Sequence, residues 1–169
     1  MLAPPVERQL ASPRNLRLLA LFVPSALLAG ALGSQYIGGL FPCDMCYWQR
    51  WPHAAAILLA LASFTAPANA PRSRLLVGLA AAAIAVSGAI GVYHVGVEMG
   101  FYEGVTACSA GSSTTDPGAL LDEIMNAPVI RCDQVQWEFL SVSMAGWNAI
   151  ISLGTAALIA IGLVKGKKA

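Results

Sequence analysis

Cys43 and Cys46 are spaced as C-x-x-C, and Cys108 and Cys132 follow farther along the chain. C-x-x-C is the usual spacing for thiol–disulfide exchange, because a lowered thiol pKa makes one sulfur a ready nucleophile. A structural staple explains this pair poorly, since so small a ring restrains little of the unfolded chain. It explains the other pair well: a Cys108–Cys132 bridge would enclose 23 intervening residues and stabilise by about 3 kcal/mol. A zinc site is the third reading, but four-cysteine sites typically use two close pairs, and only one pair is close here. Spacing favours Cys43 with Cys46 and Cys108 with Cys132, and cross-loop pairing stays open.

The residues after the motif bear on its reactivity. If a helix starts near Cys46, its amides and dipole favour a thiolate there. Arg50, four residues on, falls on the same helical face and adds a fixed positive charge. Asp44 opposes both, because a nearby carboxylate disfavours a thiolate. Pro52 suits a first helical turn and not an interior. Arg50 also reads as an interfacial anchor beside Trp48 and Trp51. His94 lies one turn before Glu98, inside an otherwise charge-free stretch. An ionisable group in such a place is a candidate for function, or simply bonds a carbonyl.

The elements that position these groups follow from charge. The chain has 169 residues, 57% hydrophobic and 11% charged, with net charge +1 and mean hydropathy +0.65. Soluble domains carry about 25% charged residues, so a soluble globular protein is excluded, and basic residues are too few for nucleic-acid binding. Leu18 to Cys43, Trp51 to Pro71, Leu75 to Val97 and Phe139 to Val164 hold no Asp, Glu, Lys or Arg, over 26, 21, 23 and 26 residues. A bilayer core of about 30 Å needs roughly 20 helical residues, and helices satisfy their own backbone in lipid. The expectation is an all-α membrane protein, a bundle of four transmembrane helices over about 18–40, 51–68, 75–97 and 142–164. Loops at about 41–50 and 98–141 carry the cysteines, and 1–169 forms one integral membrane domain. Arg8, Arg14, Arg17, Arg72, Arg74, Lys165, Lys167 and Lys168 fall at the N-terminus, in the middle loop and at the C-terminus. The positive-inside rule makes both termini cytoplasmic and turns the cysteine loops outward, where disulfides persist. Ala31-Leu32-Gly33 also resembles a signal-peptide cleavage site, but the apolar run is longer than a usual signal core.

The second outer loop begins with a small, polar stretch, Ser109 to Thr115. Asp116-Pro117 then forms an N-cap with proline at the first helical position. Leu120, Leu121, Ile124 and Met125 give a short helix one apolar face, expected to lie on the membrane surface. Arg131 precedes Cys132 and either acidifies it or is a solvated loop charge.

Pro42-Cys43-x-x-Cys46-x-x-x-Arg50, the pair Tyr93-His94, and Cys132-x-x-x-x-Trp137 followed by Met144-x-x-Trp147 resemble the disulfide bond formation protein B family, DsbB. The resemblance covers about 18–164. It implies a bacterial inner-membrane thiol:quinone oxidoreductase that reoxidises a periplasmic thioredoxin-like oxidase, DsbA, and passes electrons to ubiquinone or menaquinone. It implies that Cys108 is attacked by the reduced partner, that Cys132 helps resolve the mixed disulfide and pairs transiently with Cys43, and that Cys46 is freed facing the quinone. Arg50, His94 and Met144 match positions at the quinone site. Such an oxidase has a potential of about −120 mV, too oxidising for glutathione to drive. A vitamin K epoxide reductase type of enzyme resembles the chain less, since its C-x-x-C comes late. The alternative class is a non-enzymatic scaffold with stapled or metal-binding loops.

Overall fold

The computed structural model describes residues 12–103, 116–118 and 131–166. Its elements in chain order are helices α1 (Pro13–Tyr36), α2 (Asp44–Ser63) and α3 (Pro71–Glu98), strands β1 (Glu138–Phe139) and β2 (Val142–Ser143), and helix α4 (Met144–Lys165). Three helices, α1, α3 and α4, are long and apolar enough to cross a membrane. Helix α2 carries Asp44, Gln49, Arg50 and His53 in its first half, which dilutes its apolar character. The chain is therefore a multi-pass helical membrane protein. Cys108 and the proposed surface helix lie outside the described residues, apart from residues 116–118.

Each helix start is set locally. Ser12 caps α1 by accepting from Asn15 N at 3.3 Å, with Pro13 in the first turn. Cys43 itself caps α2, its sulfur accepting from Cys46 N at 3.3 Å. Because α2 begins at Asp44, Pro52 sits inside the helix and not in its first turn, unlike the expectation from its residue type. Helices packed against neighbours in a membrane tolerate such a proline because surrounding groups re-satisfy the freed carbonyl.

Small residues let α3 and α4 approach closely, as expected where lipid supplies no hydrophobic drive between helices. A Cβ added at Gly88 would meet Leu153 Cγ at 2.8 Å, and one at Gly91 would meet the Ala145 carbonyl at 3.0 Å. The core between all four helices is built from Leu16, Ala20, Ala60, Val77, Ile84 and Ile159.

Arginines close one end of the bundle. Arg17 is buried, donates to Ser73 Oγ at 2.8 Å and to the Ala66 carbonyl, and stacks on Phe64. Arg74 donates to the carbonyls of Leu163 and Gly166, satisfying the last turn of α4. The basic start of α1, the basic middle loop and the end of α4 thus meet, as the charge pattern required. Cys43, Cys46 and Cys132 lie at the opposite end.

The β1–β2 hairpin was not legible beforehand. Leu140 and Ser141 hold φ of 52° and 60° in its two-residue turn, a conformation usually given to glycine or asparagine. The hairpin delivers the chain into α4, and Trp147 Nε1 donates to the Phe139 carbonyl at 3.1 Å.

Gly88→Val should force α3 away from α4. The expected cost is about 1–3 kcal/mol, read as a lower thermal unfolding midpoint in detergent. An unchanged midpoint would contradict the close packing.

Candidate functional site

The start of α2 presents two thiols side by side. Cys43 Sγ lies 2.9 Å from Cys46 Sγ, and both are reduced. The cap geometry forces this approach: the residue before a helix and the third residue of its first turn share one side, so the spacing of the motif is a geometric need. Cys43 is buried, while Cys46 is partly accessible.

The two sulfurs are made unequal. Cys43 is pushed up to about 12 by its hydrogen bond to Cys46 and by burial, with His94 opposing. Cys46, ahead of the charge-free run that starts at Trp51, is lowered, first by the hydrogen bond from the Cys43 thiol and then by a hydrogen bond from the Cys43 backbone. Arg50 lowers it further, by a smaller amount, and burial and Cys132 oppose. The surroundings thus favour ionisation of Cys46 over Cys43. The expected Arg50 effect occurs, but the neighbouring thiol outweighs it.

Asp44 acts elsewhere than expected. It contributes to raising Cys132, which burial, as the leading cause, pushes up to about 11. Arg131 is exposed and donates to Asp133 through Nε at 2.8 Å and through Nη2. That pairing holds the Asp133 carboxyl below its usual range.

Cys132 packs into one cluster with Cys43, Met45, Val97 and Cys46. The fold therefore joins the second outer segment to the C-x-x-C. His94 reaches the same cluster from α3, its Nε2 lying 3.6 Å from Cys43 Sγ and 3.9 Å from Glu98 Oε1. The ligand atoms of Cys43, Cys46 and His94 all lie within 4.8 Å of one another.

Arg50 turns inward and is more than an interfacial anchor. It donates to Gln35 Oε1 at 2.5 Å and to the Ala31 carbonyl at 3.1 Å, both on α1, and its guanidinium lies 4.9 Å over the Tyr47 ring. Its Nε is buried with no hydrogen-bond partner among the described residues. A cavity of about 790 Å³ opens beside it, with Cys43, Cys46, Arg50, His94 and Met144 all in its wall. Ligand sites typically span about 300–1,000 Å³ with apolar walls and a few polar groups.

Residue types gave no notice of several partners. Gln49 and His53 are buried on α2, Ser87 is buried on α3, and Asn148 joins them from α4. The amides and the hydroxyl carry no charge or metal-binding signature, whereas His53, an ionisable group in the charge-free run after Trp51, carries the same signal as His94.

A bundle that seats a dithiol and an arginine in the wall of an apolar cavity, with a third cysteine packed against the dithiol, defines a membrane thiol oxidoreductase. The profile of the family "Disulfide bond formation protein DsbB" matches residues 13–162. The chain belongs to this family. It is 35% identical over 154 residues to the disulfide bond formation protein B of Methylococcus capsulatus, covering 88% of this chain and 92% of that one. It is 29% identical over 170 residues to the protein of the same name from Azoarcus sp., covering 94% and 98%. No solved structure matches the chain.

Removing the donor thiol tests the asymmetry. Cys43→Ala should move the Cys46 titration, followed by thiolate ultraviolet absorbance, to higher pH. The sign follows because the hydrogen bond favours the charged form of Cys46. Arg50→Met should move it in the same direction by less.

Proposed function

We propose that this chain oxidises a periplasmic thioredoxin-like thiol oxidase of the DsbA type and delivers the electrons to a membrane quinone, ubiquinone or menaquinone. The observation that carries this reading is the thiolate-favouring Cys46 at the wall of an apolar cavity, with Arg50 beside it. The residues suit a quinone. The apolar wall accommodates a lipophilic ring, and the unpartnered Arg50 Nε is a donor for a carbonyl oxygen. Arg50, His94 and Met144 would hold the group. When bound it supplies a sink for two electrons and two protons.

The remaining steps belong to the cysteines. The partner's thiolate attacks Cys108 of a Cys108–Cys132 disulfide; a bond forms between partner and Cys108, and Cys132 leaves as a thiolate. In the oxidised Cys43–Cys46 pair, Cys132 then attacks Cys43. The Cys43–Cys46 bond breaks, a Cys43–Cys132 bond forms, and the electron pair stays on Cys46. The burial of Cys132 against Cys43 supports this order. A second partner thiolate releases the partner as its disulfide and returns Cys108 as a thiolate, which restores the Cys108–Cys132 bond and leaves Cys43 reduced beside Cys46.

We place four spans in the bacterial inner membrane, with both termini cytoplasmic, the loops at about 41–50 and 98–141 periplasmic and a surface helix in the second. The meeting of all basic segments at one end of the bundle and of the described cysteines at the other supports this orientation. A membrane-impermeant maleimide added to reduced spheroplasts should label Cys108. Labelling only after the membrane is permeabilised would reverse the topology.

Purified protein supplied with ubiquinone should oxidise a reduced DsbA-type partner, and Cys46→Ser should abolish quinone reduction. Full turnover in that variant would remove Cys46 from the reaction. Arg50→Met should raise the KM for quinone about tenfold, the loss expected for one charged hydrogen bond.

A further inference from the structure

A run of hydrogen-bonded side chains lies behind the two sulfurs, between α2, α3 and α4. Gln49 Nε2 is 3.2 Å from the Met45 carbonyl and 3.0 Å from His94 Nδ1. Gln49 Oε1 is 2.7 Å from Asn148 Nδ2, which is also 3.2 Å from the Ser87 carbonyl. Asn148 Oδ1 faces His53 Nε2 and Ser152 Oγ, each at 2.9 Å.

Two of these partners are backbone carbonyls, which only accept, and they remove the usual ambiguity of amide orientation. The Ser87 carbonyl requires the NH2 of Asn148, and that NH2 requires the oxygen of Gln49. The Met45 carbonyl independently requires the NH2 of Gln49 on the other side. His94 Nδ1 therefore faces a donor and must be bare, since a proton there would meet the Gln49 NH2 head on. In the neutral ring the proton then sits on Nε2, because the bond made by one ring nitrogen sets the state of the other.

That nitrogen points at Cys43. With a proton on Nε2, His94 donates to the Cys43 sulfur and takes nothing from it. The Cys43 proton is left for Cys46, 2.9 Å away. The bond that His94 donates favours negative charge on the Cys43 sulfur, whereas in the opposite tautomer a bare Nε2 would accept from the Cys43 thiol and oppose its ionisation. We propose that Gln49 is a positioning residue of the thiol site: by fixing the His94 tautomer it keeps a proton donor on the Cys43 sulfur, which supports the negative charge that sulfur carries when it leaves from Cys132. Asn148 holds Gln49 in the orientation this needs. A metal ion on Nε2 would require the tautomer that Gln49 opposes.

The inference rests on reading Cys43 and Cys46 as the redox pair, and its test reads proton position independently of turnover. Nitrogen NMR of reduced protein labelled at its two histidines, with His53→Gln for assignment, should find His94 protonated on Nε2 and bare on Nδ1. Gln49→Glu, which places an acceptor at Nδ1, should move the proton there. Limiting alkylation of the reduced protein, read by mass spectrometry, should gain about tenfold in its preference for Cys46 over Cys43 in Gln49→Glu and Gln49→Leu, the size of about one pKa unit, because Cys43 loses its donor. If the buried Gln49 variants do not fold, Asn148→Leu should shift the preference in the same direction by less. A wild-type ring protonated on Nδ1 would overturn the proposal, as would an unchanged alkylation preference in the folded variants. Lower turnover with unchanged preference would overturn it too and leave the redox reading standing. Full turnover in Cys46→Ser would defeat that reading without altering the tautomer result.

Discussion

Within a bilayer no water is available to satisfy a polar group, so every buried donor and acceptor in the bundle must find its partner in another helix. The structure meets this constraint at both ends. Arg17 and Arg74 saturate carbonyls and hydroxyls where α1, α3 and α4 meet. At the cysteine end, Gln49, Asn148, Ser87 and the Nε2 of His53 bond one another. The same demand makes the site rigid, because each amide in the chain has one orientation that pairs all its neighbours.

Rigidity matters for the chemistry because two adjacent thiols are equivalent until their surroundings differ. Arg50 lies beside Cys46, while the hydrogen bond to Cys46 and burial both favour the neutral form of Cys43. The charge is thus set down next to the cavity where an acceptor would meet it. The two polar atoms left without partners among the described residues, Arg50 Nε and His53 Nδ1, both belong to side chains in the wall of that cavity. Unpaired buried donors are costly in an apolar setting, and a carbonyl-bearing occupant would relieve the cost at Arg50.

Some features could be read from residue order because they are local or statistical. The C-x-x-C cap follows from helix geometry, Arg50 from its four-residue spacing, and the apolar runs from counting charges. His94 stood out as an ionisable group in an apolar stretch. Pro52 misled, because its residue type describes the average soluble helix and not one held by neighbours. The hairpin turn at Leu140 and Ser141 gave no signal, since neither residue prefers a positive φ. Gln49 was indistinguishable in type from a surface amide.

The sequence by itself determined the membrane class, the shared end for the basic segments, and the pairing of a reactive cysteine with an arginine one turn away. These depend on period, spacing and charge, which one strand of text contains. Only the tertiary structure decided that Cys132 rests against Cys43, that Arg50 reaches α1, and that Gln49 bonds both His94 and Asn148. Each joins residues far apart in the chain, and an uncharged hydrogen bond acts only at contact distance, so it exists once the helices have packed.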